Sequence, residues 1–283
     1  MLAISLALCS SALWGLSDYL GGVKSRVLAV PVVLACTYLT SLTVMAVFVG
    51  ARGEGPPETQ AILAGLGAGL FGIAGLTAFY RGLAIGTMSI VAPIASTGVA
   101  LPVLVGLATG DDPTAIASIG LVAAITGVVL ASKEDDEGAA DRRTQRRSIV
   151  LALSAGVGFG TYFVLAGISS DGDVGWALLL SRIAAFPFIA SFALLALRRG
   201  GRAPVRREYV VLAGIGLLDL GANALYNYSS TIGELSTVAV ASSLYPVVTV
   251  LLAAALLGER VRGIQRVGVV IALCGVVMIA AGA

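Results

Sequence analysis

The chain has 283 residues, of which 58% are hydrophobic and only 12% are charged, whereas soluble domains run to roughly 25% charged. That balance requires lipid as the solvent. The net charge of +2, with no basic run interleaved with aromatics, sets nucleic-acid binding aside. Histidine is absent, which removes Ser-His and Cys-His nucleophile pairs, histidine-ligated metals and histidine proton relays.

Charged clusters cut the sequence into ten apolar segments, each near the ~20 residues that cross a hydrocarbon core as a helix. The first is 2–22. Its Leu6-Ala7-Leu8-Cys9 lacks a charged leader and has a bulky residue before the cysteine, so it reads as a membrane helix, not a lipoprotein cleavage site. Cys9, Cys36 and Cys274 are odd in number and dispersed in apolar runs, which predicts buried packing thiols and no disulfide. Segments 28–50, 61–80, 87–109 and 115–132 complete the first half. The polar stretch 133–147, acidic and then basic, reads as a linker. Segments 148–168, 174–197, 209–228, 235–257 and 263–283 follow. The expected organisation is therefore a five-helix unit over 1–132, a linker over 133–147 and a second five-helix unit over 148–283.

The halves resemble each other. Leu6-Ala7-Leu8, Gly15 and Gly22 recur as Leu151-Ala152-Leu153, Gly160 and Gly167. Gly75, Ala78 and Tyr80 recur as Gly221, Ala224 and Tyr226. Ile85-Gly86, Ser89 and Ser96 recur as Ile232-Gly233, Ser236 and Ser243, and Gly110, Gly120 and Gly127 as Gly258, Gly268 and Gly275. The offset grows one residue at a time, in chain order, from 145 to 148. An odd number of spans per half makes the second half enter the membrane from the opposite side. The predicted fold is an all-α polytopic membrane protein of ten transmembrane helices in two inverted repeats. Such repeats are typical of secondary transporters, with a site near the midplane and alternating access. A small-solute channel or facilitator without ion coupling is the alternative. No nucleotide-binding run GxxxxGK[ST] and no acid-base pair stand out, so neither ATP-driven transport nor an enzyme is expected. No cofactor or metal is expected either.

Lys and Arg concentrate in the loops after segments 1, 3, 5, 7 and 9, with Arg52 the one exception among loops and Arg182 inside a segment. The positive-inside rule then places those loops in the cytoplasm and both termini outside, in a multi-pass protein of the cell (inner) membrane.

Ionisable side chains deep in a span cost roughly 2.5–3.5 kcal/mol on insertion scales, so each is a candidate for function. In the first helix Trp14 is central and Asp18 lies one turn further on. Asp18 has three readings: cavity lining, proton uptake or an interfacial position. Tyr80 ends the third segment beside Arg81, which reads as an interfacial anchor or as a gate partner for Asp18. Arg182, inside the seventh segment, is at the depth of Asp219 in the eighth. Two readings stand for it: an ion pair that locks the second repeat, or a site for a substrate carboxylate or phosphate. Asp219, Asn223 and Tyr226 share one helix face and read as a polar cavity wall. Trp14, Tyr80 and Tyr226 offer an aromatic lining for a ring or an ammonium group. Pro31, Pro93, Pro102, Pro187 and Pro246 are expected inside helices. Gly65/Gly69 and Gly156/Gly160 have the spacing of close helix packing.

Two stretches carry a family resemblance that covers essentially the whole chain. One is Trp14-Gly15 within WGLSDYLGG. The other is the end of the second half, LYPVVTVLLAAALLGER over 244–260 followed by GVVIALCGVVMIAAG over 268–282. The chain resembles the drug/metabolite transporter superfamily, in particular its ten-helix EamA-like branch. In the first half the corresponding turn departs from the pattern, reading Gly110-Asp111-Asp112. The resemblance implies two inverted five-helix repeats around a central cavity and ATP-independent movement, with export expected, of a small metabolite such as an amino acid or related polar or amphipathic solute. The expected partners are that solute, the lipid bilayer and a coupling proton or ion.

Overall fold

The structure, a computed structural model, describes residues 2–101, 114–131, 139–170, 172–232, 242, 244–259 and 263–281. Ten α-helices and no strand occur among the described residues. They are α1 (Leu2–Ser25), α2 (Val30–Arg52), α3 (Thr59–Ile85), α4 (Met88–Ser96, extended by a 3-10 turn Thr97–Val99), α5 (Ala115–Ala131), α6 (Ala139–Ser170), α7 (Val174–Arg198), α8 (Arg206–Ile232), α9 (Tyr245–Leu257) and α10 (Gly263–Ala281). Six of them, α1, α2, α3, α6, α7 and α8, are long and apolar enough to cross a membrane. Helices α5, α9 and α10 have shorter apolar cores.

Several boundaries differ from expectation for local reasons. Helix α6 starts at 139, not 148, because the basic half of the expected linker is rich in Ala, Arg and Gln, which are good helix formers. Pro31 and Pro246 start helices rather than interrupt them, occupying first-turn positions whose N–H has no intrahelical partner in any case. Pro93 and Pro187 do lie inside helices. Pro102 and most of 233–243 fall outside the described residues.

Packing is symmetric under exchange of the halves. Helix α1 packs on α8 as α6 packs on α3, α2 on α8 as α7 on α3, and α1 on α9 as α6 on α4. The pairs α2 with α7, α4 with α9 and α5 with α10 map onto themselves. That is the contact pattern of two inverted repeats related by a two-fold axis.

Polarity runs opposite to that of a soluble protein. Val47, Leu63, Val122, Val210 and Leu251 are exposed, while Ser10, Ser17, Ser41 and Thr249 are buried. The buried hydroxyls join helices: Ser10 Oγ donates to the Ala222 carbonyl (2.7 Å), Ser41 Oγ to Gly216 (3.0 Å), Ser169 Oγ to Ala61 (2.8 Å) and Thr249 Oγ1 to Gly15 (3.2 Å). In hydrocarbon these groups have no water to bond, so a backbone carbonyl on a neighbouring helix takes its place. The cysteines are free, with Cys9 and Cys274 exposed and Cys36 partly buried, so the expectation of buried thiols is corrected.

Glycines permit the closest contacts. A Cβ on Gly69 would meet the Ser181 backbone, one on Gly156 the backbone of Ala95 and Gly98, and Gly75 and Gly158 face each other across α3 and α6. Gly158→Val should therefore overpack this seam and cost about 1–3 kcal/mol. A lowered thermal midpoint of the detergent-solubilised protein is the expected result, and an unchanged midpoint would show that α3 and α6 are not so close.

Candidate functional site

The charges of the bundle interior meet at one place. Arg182 of α7 is 3% exposed, and its Nη2 lies 2.8 Å from Asp219 Oδ2 of α8. Its guanidinium also sits over the Tyr38 ring of α2, 4.8 Å from the centroid. Asn223, one turn beyond Asp219, donates from Nδ2 to the Asp219 carbonyl (2.7 Å) and to its Oδ1 (3.3 Å). Tyr162 of α6 donates its hydroxyl to Asn223 Oδ1 at 2.9 Å. Three helices, α6, α7 and α8, are thus tied through one chain of charge-assisted and neutral hydrogen bonds, and α2 joins through the Tyr38 ring. Arg182 Nε is buried with no hydrogen-bond partner among the described residues.

These residues line a small cavity of about 70 Å³, below the roughly 300–1,000 Å³ of small-molecule sites. Helix α1 contributes Trp14 and Asp18, α2 Tyr38, α3 Gly72 and Leu76, α6 Phe159, Tyr162 and Phe163, α7 Arg182, α8 Asp219 and Asn223, and α9 Tyr245. Both halves therefore build it. Trp14 is the centre of an aromatic cluster, with ring centroids 5.7 Å from Tyr226, 6.1 Å from Tyr245 and 6.3 Å from Phe163. Asp18 is 8% exposed and faces the cavity without an ion pair or hydrogen bond among the described residues.

Of the residues singled out from the sequence, Trp14, Asp18, Arg182, Asp219 and Asn223 come together on the cavity wall. Tyr226 does not line it but packs behind Trp14. Tyr80 is a correction: it is 2% exposed, its ring fills the space left by Gly21, and its hydroxyl donates to the Ser17 carbonyl at 3.4 Å. It packs between α1 and α3 and is not among the residues lining the cavity. Arg81 is exposed and makes no pair with Asp18, which removes the gate pair. Sequence reasoning missed Tyr38, Phe159, Tyr162, Phe163 and Tyr245. A signal existed for two of them, since the 145-residue offset puts Phe159 at the position of Trp14 and Phe163 at that of Asp18.

Ion pairs close both ends of the bundle. At the end bearing most cations, Arg26 Nη2 meets Glu259 Oε1 at 2.9 Å, and Glu259 Oε2 accepts from the N–H (3.1 Å) and Oγ (3.3 Å) of Ser89. Gly258 makes this reach possible, capping α9 in the left-handed conformation (φ 66°). At the opposite end Arg52 bonds Asp173 (2.8 Å) and Glu54. Burial raises the Asp173 carboxyl, but the bonds from Arg52 and from the Trp176 N–H at the start of α7 outweigh it and hold the group below its ordinary value.

The EamA-like transporter family description matches residues 1–133 and 146–281, nearly the whole chain in two copies. The chain belongs to the EamA-like transporter family. One of seventeen matching solved chains, titled only as the crystal structure of a protein, superposes on this EamA-like fold with a TM-score of 0.62. It is 16% identical and covers 98% of this chain and 96% of its own, so it speaks for the fold alone. The chain matches none of the curated proteins by sequence. The family fixes a multi-pass membrane transporter of the drug/metabolite type, and the two matched segments are the two halves whose packing is symmetric.

Removing one member of a buried ion pair strands the other at a cost of roughly 3–5 kcal/mol, whereas removing both is often close to neutral. Asp219→Asn alone should therefore lower accumulation in the membrane. Arg182→Gln with Asp219→Asn should restore accumulation without restoring transport. Normal accumulation and transport by the single Asp219→Asn variant would show that the pair supports neither.

Proposed function

We propose that the protein is a secondary active transporter of a small amphipathic solute bearing an amine, such as an amino acid, moved by alternating access around the cavity between the repeats. The observation that carries this reading is the charge inventory of the cavity wall, two carboxylates against one guanidinium, with Asp219 paired and Asp18 not. A carboxylate held away from water without a counter-charge is costly. Asp18 is therefore neutralised either by a proton or by a cationic group of the solute, and exchange between the two couples solute movement to protons. The aromatic rings of Trp14 and Tyr245, which line the cavity with Asp18, suit an ammonium group. The unpartnered Arg182 Nε offers a bond to a carboxylate of the same molecule. We place the protein in the cytoplasmic membrane with the cation-rich ends of the helices in the cytoplasm. The residues assigned to substrate binding or coupling are Trp14, Asp18, Arg182, Asp219 and Asn223, with Tyr226 supporting Trp14.

Reconstituted in liposomes, the protein should show counterflow: unlabelled solute inside should accelerate uptake of the same labelled solute from a panel of amino acids and amines. An inward-acid pH gradient should change the rate, and Asp18→Asn should remove that dependence. Flux proportional to concentration with no counterflow would replace the transporter by a channel.

A further inference from the structure

A second concavity lies on the outer surface of the bundle, between α3 and α7. Along α3 it is lined from Leu70 through Thr77 to Arg81, and across it stand Phe188 and Phe192 of α7, with Pro31 at the start of α2. Leu70, Phe188 and Phe192 are 41%, 56% and 59% exposed, so this groove opens to the hydrocarbon of the bilayer. Its volume is about 380 Å³. From Leu70 to Arg81 the helix rises about 16 Å at 1.5 Å per residue. That is close to half of the roughly 30 Å hydrocarbon core, the depth of one leaflet.

Arg81 stands at the shallow end. It is exposed, one turn from the end of α3, and makes no ion pair or hydrogen bond among the described residues. Arg26, Arg52 and Arg182 all meet carboxylates. A guanidinium at that level, at the end of an apolar groove one leaflet deep, is complementary to a group with a long apolar chain and a phosphate.

We propose that this groove is a binding site for one anionic phospholipid, with an acyl chain laid between α3 and α7 and the phosphate on Arg81. A planar guanidinium bonds a phosphate in two-point fashion. A zwitterionic lipid presents the same phosphate, but its own ammonium competes with Arg81 for it, so an anionic headgroup binds better. The site bridges one helix of each repeat, at the seam where Gly69 meets the Ser181 backbone. The bound lipid therefore acts as a strut between the halves in the leaflet on the cation-rich side, where basic pockets find anionic headgroups. This holds whether or not the transport reading is right.

The test uses the purified full chain, delipidated in a neutral detergent, with lipid binding read by native mass spectrometry and thermal midpoint. Dioleoylphosphatidylglycerol should bind roughly five- to tenfold more tightly than dioleoylphosphatidylcholine and raise the midpoint further. Arg81→Gln should erase that preference while leaving the lipid-free midpoint unchanged, because Arg81 has no partner to lose among the described residues. Arg81→Lys should keep part of it. Ala74→Trp, which fills the groove, should weaken both lipids. Retention of the preference by Arg81→Gln would overturn the proposal. So would an equal midpoint shift with glycerol 3-phosphate, which has the headgroup phosphate and no chain.

Discussion

A guanidinium and a carboxylate in the interior of a membrane bundle each offset the other's lost hydration, and the arrangement of Arg182 and Asp219 is the constraint around which the cavity is organised. Their 2.8 Å contact fixes α7 against α8. The remaining bonding capacity draws in further helices: Asn223 turns back onto Asp219, Tyr162 bonds Asn223, and Tyr38 covers the guanidinium. Every one of these partners is polar or polarisable, and together they replace the water that the two charges lost on insertion. The aromatic cluster around Trp14 fills the rest of the wall, and the cavity exists because these large groups meet where seven helices diverge.

The fold is symmetric and the chemistry is not. The repeat offsets bring Asp18 into correspondence with Phe163, and Asp219 with Ile73, so these two carboxylates have apolar residues at the equivalent positions of the other half. Backbone packing is thus shared by the two halves, while the charged side chains of the cavity wall are not. The same applies to closure. Arg26, Ser89 and Glu259 latch one end, whereas the positions that correspond to Arg26 and Glu259 by offset are Asp171 and Asp111, both acidic. Those two lie outside the described residues.

Much of this was legible in the sequence. Helix number and the inverted duplication followed from the spacing of charges and the drifting offset. Arg182 and Asp219 stood out because charge in an apolar run is rare and costly. The aromatic residues of the wall did not stand out. Tyr38, Tyr162 and Tyr245 sit in helices that are apolar all round, where no periodicity separates a cavity-facing side from one facing another helix or lipid. Depth along a span can be counted, but direction around it is set by neighbours. Tyr80 shows the difference: its depth beside Asp18 was right, yet Gly21 opens a slot that takes its ring into the seam between α1 and α3. Arg81, beside it, points outward for the same reason.

The central claim is that a cavity built by both halves opens to one side of the membrane and then to the other, and accessibility of a cavity residue reads this directly. Leu76 lines the cavity and takes no part in its hydrogen bonds, so Leu76→Cys, in a protein whose Cys9, Cys36 and Cys274 are replaced by serine, makes a suitable reporter. A membrane-impermeant thiol reagent applied to right-side-out and to inside-out vesicles should label it from both faces. Breaking the Arg26–Glu259 latch with Glu259→Gln should raise labelling from the cation-rich face at the expense of the other. Labelling from one face only, unchanged by Glu259→Gln, would contradict alternating access.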